Sequence, residues 1–232
     1  MRKPSKEFAW YEFSWQRPIE LDDIYAMLSH LSALTPRGFM AFEARARNGK
    51  LSYSIGTDPQ YSGKIKELIC SHGSVEFRKM PDGKRKPVSK ARRLSVSKPI
   101  LQLNTDVTAS AIRSTLAAMA ATQKDEEAVV QIVLGRGYSP SALPQKLQDP
   151  HESWLDLALY GIRPASSDSV KSAKEKHEQF MFQTIIRIGV TGKDQEGRLD
   201  NILSAFRVLK SAGVNIREEV EEPRKLDDVF IP

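Results

Sequence analysis

Read along the chain, the order of predicted elements repeats. Residues 7–80 read as strand, helix, strand, strand, helix, strand; residues 92–222 read the same way, with an insertion in the middle. In the first copy, Phe8–Trp15 alternates aromatic with small or polar residues, as a strand does. Asp22 is placed to cap a helix whose apolar positions Ile24, Met27, Leu28, Leu31 and Leu34 recur at helical spacing, and Thr35-Pro36-Arg37-Gly38 stops it. Phe39–Arg47 and Lys50–Gly56 alternate and are joined by Asn48-Gly49, the pair that best supplies the two positive-φ positions of a type I′ hairpin turn. A short helix with Tyr61, Ile65, Leu68 and Ile69 on one face follows, with Gly73 as its left-handed cap, and Val75–Met80 closes the unit as a strand.

In the second copy, Arg92–Leu103 predicts a strand region that Pro99 must place at an edge, a bulge or a break. Thr105 or Thr108 caps a helix carrying Ile112, Leu116 and Met119, and the β-branched run Ala128–Leu134 suits a central, well-buried strand. The insertion 138–179 holds loop, a short helix over Ser153–Leu159 and a polar, lysine-rich helix over Ser169–Gln179. Phe180–Val190 predicts a long strand. Arg198–Ala212 predicts a helix with a stripe of Leu199, Ile202, Leu203, Phe206 and Leu209, ended by Gly213, and Val214–Val220 a closing strand. The expected fold is α+β: two tandem ferredoxin-like (βαββαβ) subdomains, 1–80 and 92–222, with a helical insertion in the second. The stretch 81–91 reads as a basic linker, and 223–232 as a charged tail leading towards a further domain.

Tandems of this kind bind and scaffold more often than they catalyse, and the residues agree. His30, His72, His151 and His177 are not set with Cys, Asp or Glu at zinc-site spacing, so each reads as solvated or capping and no metal is expected. Cys70 is the one cysteine; it excludes an internal disulfide, and beside Leu68 and Ile69 it reads as a small buried thiol. Gly135-Arg136-Gly137 follows a strand but runs into Tyr138-Ser139-Pro140, and Thr191-Gly192-Lys193 lacks the remainder of a phosphate loop. Neither a nucleotide cofactor nor a catalytic residue is predicted. No apolar run approaches the roughly 20 residues that span a bilayer.

Two features suggest binding. The formal charge is +6, and eight Lys or Arg residues against one Asp lie between Arg78 and Arg93. Arg78, Lys79, Lys84, Arg85, Lys86, Lys90, Arg92 and Arg93, strung along a mobile linker, would neutralise phosphates and release counterions, which makes a nucleic-acid-binding module one alternative; a solvated linker kept extended by self-repulsion is the plainer reading of the same residues. Strand alternation places Tyr11, Phe13 and Trp15 on one face and Trp10 with Glu12 on the other. The aromatic face suits packing against a partner protein better than base stacking, because no basic residues interleave with it.

Four strings resemble a known group. YEFSWQRPIELDDIYAMLSHL (Tyr11–Leu31), GRGYSPSALPQKLQDPHESWLDL (Gly135–Leu157), EKHEQFMFQTIIRIGV (Glu175–Val190) and the closing EEPRKLDDVFIP look like the N-terminal region of actinobacterial and related Gram-positive conjugative-transfer ATPases, akin to the coupling and assembly ATPases of type IV secretion. The resemblance implies a P-loop ATPase domain downstream of this region. It also implies a non-catalytic docking role here, with that domain, other protomers or channel proteins as partners, DNA as cargo, and a cytoplasmic place at the inner face of the membrane through those partners. It transfers no catalytic residue, since the family's catalytic motifs have no matching positions in this chain. A CRISPR-processing-type endoribonuclease is the enzymatic rival; it would need a glycine-rich loop and a histidine-centred site near the C-terminus, and His177 is the sole histidine of the last quarter.

Overall fold

The computed structural model describes residues 8–16, 20–34, 40–143, 147–152, 154–211 and 213–229; the side chain of Trp154, the expected stop at Thr35–Gly38 and the start of the second strand at Phe39 lie outside the described residues, as do Ser153, Ala212 and 230–232. Among the described residues eight strands form one antiparallel sheet and seven helices accompany it. The first half runs β1 (Ala9–Trp15), α1 (Leu21–Leu34), β2 (Met40–Arg47), β3 (Lys50–Thr57), α2 (Ser62–Ser71), β4 (Val75–Lys79). The second runs β5 (Lys90–Val96), α3 (Thr108–Ala120), β6 (Glu127–Tyr138), α4 (Trp154–Tyr160), α5 (Ser167–His177), β7 (Met181–Thr191), α6 (Gln195–Arg207), β8 (Ile216–Glu221), and α7 (Pro223–Asp227) follows.

The strand order is β4-β1-β3-β2-β6-β7-β5-β8. Its first four members and its last four, read from opposite ends, are the same permutation. The halves therefore meet back to back, β2 against β6, in an uninterrupted ladder from Met40↔Leu134 to Arg47↔Glu127. Asn48 (φ 50°) and Gly49 (φ 74°) make the expected hairpin turn between β2 and β3. The run Ala128–Leu134 is central and buried, as its composition predicts.

Period-two alternation sends each strand's residues to two faces. One face carries Met40, Ile55 and Leu134 against α1 and α2, and Ala46, Ala128, Val130, Ile188 and Val190 against α3 and α6. The Leu199, Ile202 and Leu203 stripe of α6 is fully buried there. On α3 the buried positions are Ala111, Thr115 and Met119, while Ile112 is exposed, one step round from the expected face. Because α3 packs directly on α6, the close approach selects alanine and threonine over the larger isoleucine.

Several local expectations are corrected. Asp22 lies inside α1 rather than at its cap, where it still complements the N-terminal dipole. Neither Thr105 nor Thr108 caps α3; the N-cap is Val107, and the Thr108 hydroxyl donates to the Thr105 carbonyl at 2.7 Å. Gly73 is absent from the positive-φ residues, and its small size serves Trp15: a Cβ there would lie 2.7 Å from the indole. Pro99 falls beyond the end of β5, so the strand breaks before it. Helix α6 starts and stops earlier than its hydrophobic stripe suggests, because Asp194 caps it by accepting from the Gly197 N–H at 3.1 Å. Gly213 (φ 73°) belongs instead to the turn that bridges Ser211 and Val214.

Candidate functional site

The second face of the sheet should be open if the halves follow their sequence pattern alone. It is covered in its middle by the basic stretch and by the tail. Met80 and Val88 are buried, and the tail expected to lead away folds back as α7, with Leu226 at 0% and Val229 at 2% exposure. Leu226 packs with Val88, Ala91 and Val129; Val229 packs with Ala41 and Val133, flanked by Phe8, Trp10 and Ile185. Val88 anchors the first segment and Leu226 and Val229 the second.

Beneath this cover lies a layer of charge. The register sets Glu43 opposite Gln131, Gln131 opposite Arg187, Arg45 opposite Val129 and Arg47 opposite Glu127, all on one face. Glu43 accepts from Arg45 Nε at 2.8 Å, from Arg85 Nη2 at 2.7 Å and from Gln131 Nε2 at 2.8 Å. Arg45 reaches Glu127 at 2.6 Å, and Glu127 also holds Arg47 at 2.7 Å. Arg187 donates to Gln131 Oε1 at 3.2 Å and pairs with Glu221 at 3.3 Å. Arg85 is stacked on the Trp10 indole, 3.8 Å from its centroid, and donates to the Asp227 carbonyl at 2.9 Å. Gln131 Nε2 donates also to the Leu226 carbonyl at 2.8 Å. The last carbonyls of α7 are thus satisfied by a guanidinium and an amide, so α7 is docked by hydrogen bonds as well as by Leu226.

The electrostatics follow. Burial pushes the Glu43 carboxyl up, but the Arg45 and Arg85 guanidiniums outweigh it and hold the group below its ordinary value. Glu221 is likewise held low: burial opposes the charge, and bonds from Lys225 and Arg187 overcome it. Asp227 goes the other way; burial raises it, against the Val88 N–H and the two arginines.

Most of the basic segment is spent internally. Lys84 pairs with Glu12, Arg85 with Glu43, Lys90 and Arg92 with Glu196, and Arg93 with Glu219. Arg78 and Lys79 lie exposed on edge strand β4, and the Lys86 carbonyl accepts from Arg45 at 3.0 Å. Five of the eight cations are thus paired with carboxylates of the fold. The aromatic trio is also resolved differently. Tyr11, Phe13 and Trp15 share a face as expected, but they pack into the cluster formed by α1 and α2, with Phe13 edge-on to Phe42 at 6.1 Å. All three remain half-buried.

Cys70 is exposed rather than buried, its thiol 3.6 Å from the Val75 carbonyl. His30 and His72, expected to be solvated or capping independently, meet across α1 and the end of α2 with ring nitrogens 2.8 Å apart. Among the described residues no group of three His, Cys, Asp or Glu could hold a metal ion, and no helix is long and apolar enough to cross a membrane.

One surface stands out that the sequence marked only as a short helix. On α4 and the turn after it, Leu155, Leu159, Tyr160 and Ile162 are 51%, 70%, 64% and 64% exposed, with Leu157 beside them. Leu155 and Leu159, four residues apart, share one side of α4, and Tyr160 and Ile162 stand at its end and just beyond it. Asp156 lies in the first turn and Arg163 beyond the last, its guanidinium 4.6 Å from the Tyr160 ring centroid. The signal for this site was present in Trp154–Leu159: an apolar run in an insertion that adds no strand.

In comparisons with family models, curated proteins and solved structures, nothing matches the chain.

Proposed function

We propose that this chain is a non-catalytic docking and assembly unit, built of two tandem ferredoxin-like subdomains fused through β2 and β6, and that it associates with a second copy of itself through α4. The strand permutation of each half supports the tandem reading. The observation that carries the docking role is the exposed row Leu155, Leu159, Tyr160 and Ile162. A second copy fits it because an apolar row on a short helix is complementary to itself: in a two-fold contact the same leucines of each copy cover those of the other, as an isologous interface requires.

The likeness of the sequence to conjugative-transfer ATPases supplies the setting: a unit that brings protomers of a DNA-transfer motor together, while a separate P-loop domain supplies nucleotide hydrolysis. In this reading the chain by itself releases no phosphate from ATP.

Light scattering coupled to size exclusion tests the reading. The wild-type chain is expected to run as a dimer, and Leu159→Asp as a monomer with unchanged thermal melting, because the side chain is exposed and the charge lands in the interface. A wild-type monomer at the highest soluble concentration would end the proposal for α4.

A further inference from the structure

The Gly135-Arg136-Gly137 string has a structural explanation. Leu134 pairs with Thr184 and Gly137 with Phe182, so Gly135 and Arg136 together oppose Gln183 alone: a β-bulge in β6. Gly137 is required by α1, since a Cβ there would fall 2.1 Å from the Ser32 carbonyl oxygen. The extra residue re-aims Arg136 into a cavity of about 800 Å³ between the bulge, the start of β7, the end of α5 and the Pro99 loop. Its charged lining is all of one sign. Arg136 and Lys176 contribute, His177 lies beside them, and among the described residues no carboxylate lines it. The nearby Glu178 is turned to Lys174, at 3.7 Å.

The remaining lining combines an aromatic and apolar part, Tyr138, Met181 and Phe182, with the polar Ser139, Ser141, Gln183 and Thr184. Tyr138 is 43% exposed, with the Arg136 guanidinium 5.4 Å from its ring centroid. The Lys176 ammonium is partly buried and held by the Pro99 and Leu101 carbonyls, which fixes it at the rim. The Nδ1–H of His177 donates to the Ala173 carbonyl at 2.9 Å, which leaves Nε2 as its other polar atom.

A bare anion would use the cations and leave the aromatic wall idle; an apolar ligand would do the reverse. We propose that this cavity binds a nucleotide unit, an aromatic base carrying phosphate, with the base stacked on Tyr138 and the phosphate held by Arg136 and Lys176. Fixed cations beside stacking rings are how proteins hold single-stranded nucleic acid, and the volume suits one such unit. This goes beyond the docking role and does not depend on it. It also moves nucleic-acid contact away from the segment Arg78–Arg93, whose cations are largely paired within the fold.

Two sources offer that chemistry, a single strand and a free nucleotide. Fluorescence polarisation with labelled oligothymidine and, separately, with a fluorescent AMP analogue distinguishes them: the source is the probe that binds. In either case Arg136→Ala and Tyr138→Ala are expected to weaken binding by on the order of tenfold or more, while Lys84→Ala leaves it within about twofold. Added salt should weaken the oligonucleotide further. Both variants change partly exposed side chains, so unchanged far-UV circular dichroism confirms that folding is retained. The proposal is overturned if neither probe binds the wild-type chain at low salt, or if both variants bind as well as wild type.

Discussion

Glu43→Ala is expected to cost about 3–5 kcal/mol of folding stability, read as a fall in the urea midpoint. The reason lies in what the carboxylate leaves behind. Glu43 is 2% exposed and accepts from Arg45, Arg85 and Gln131. Removing it takes away three of the seven hydrogen bonds that the two guanidiniums make beneath α7. Burying unpaired charge is far costlier than the pair is stabilising, so the deletion should exceed any gain ascribed to the salt bridge itself. Glu43→Gln keeps an acceptor and the shape, and should lie between the two. A loss below about 1 kcal/mol for Glu43→Ala would mean that water reaches the layer and that α7 does not seal it.

The same group sets an acid limit. Because the folded state holds Glu43 below its ordinary value of 4.5, the stabilisation is present above that pH and is lost as pH falls below it. Wild type should therefore lose stability on acidification through this range more steeply than Glu43→Gln. Parallel slopes in urea titrations at stepped pH would remove Glu43 as the cause.

The second large effect is expected from Leu226→Ala, a loss of about 2–5 kcal/mol. The side chain is fully buried against Val88, Ala91 and Val129, so truncation opens a cavity under a helix of five residues that has no other apolar anchor of its own. Two outcomes separate mechanisms. Loss of global stability means that α7 is part of the cooperative core. Fast amide exchange confined to Val88 and 224–229 with unchanged global stability means that α7 detaches alone. An unchanged variant in both measures would contradict the docking of the tail.

The elements whose pattern is local were legible in the sequence: the Asn48-Gly49 hairpin, the β-branched run in β6 and the apolar stripe of α6 all fold as their periodicity dictates. What failed has a common cause. Strand alternation states which residues share a face but not what covers that face. Glu43, Arg45 and Arg187 alternate with apolar neighbours as solvent-facing residues do, yet they are buried, because segments far away in the chain close over them. For the same reason alternation puts Tyr11, Phe13 and Trp15 on one face without showing that α1 and α2 pack against it. The basic stretch looked like a linker because its counter-charges, Glu12, Glu43, Glu196 and Glu219, are distant in sequence. The bulge that aims Arg136 leaves only a Gly-x-Gly trace, which fits many loops.

The seam between β2 and β6 has a consequence for dissecting the molecule. Each half contributes a strand that is an interior one only while the other half is attached. Cutting the gene near Met80 would turn Met40–Arg47 and Glu127–Tyr138 into naked borders with unpaired amides and carbonyls. Separately expressed halves should therefore be sticky, self-templating fragments, and mixing them should restore solubility by letting each cap the other.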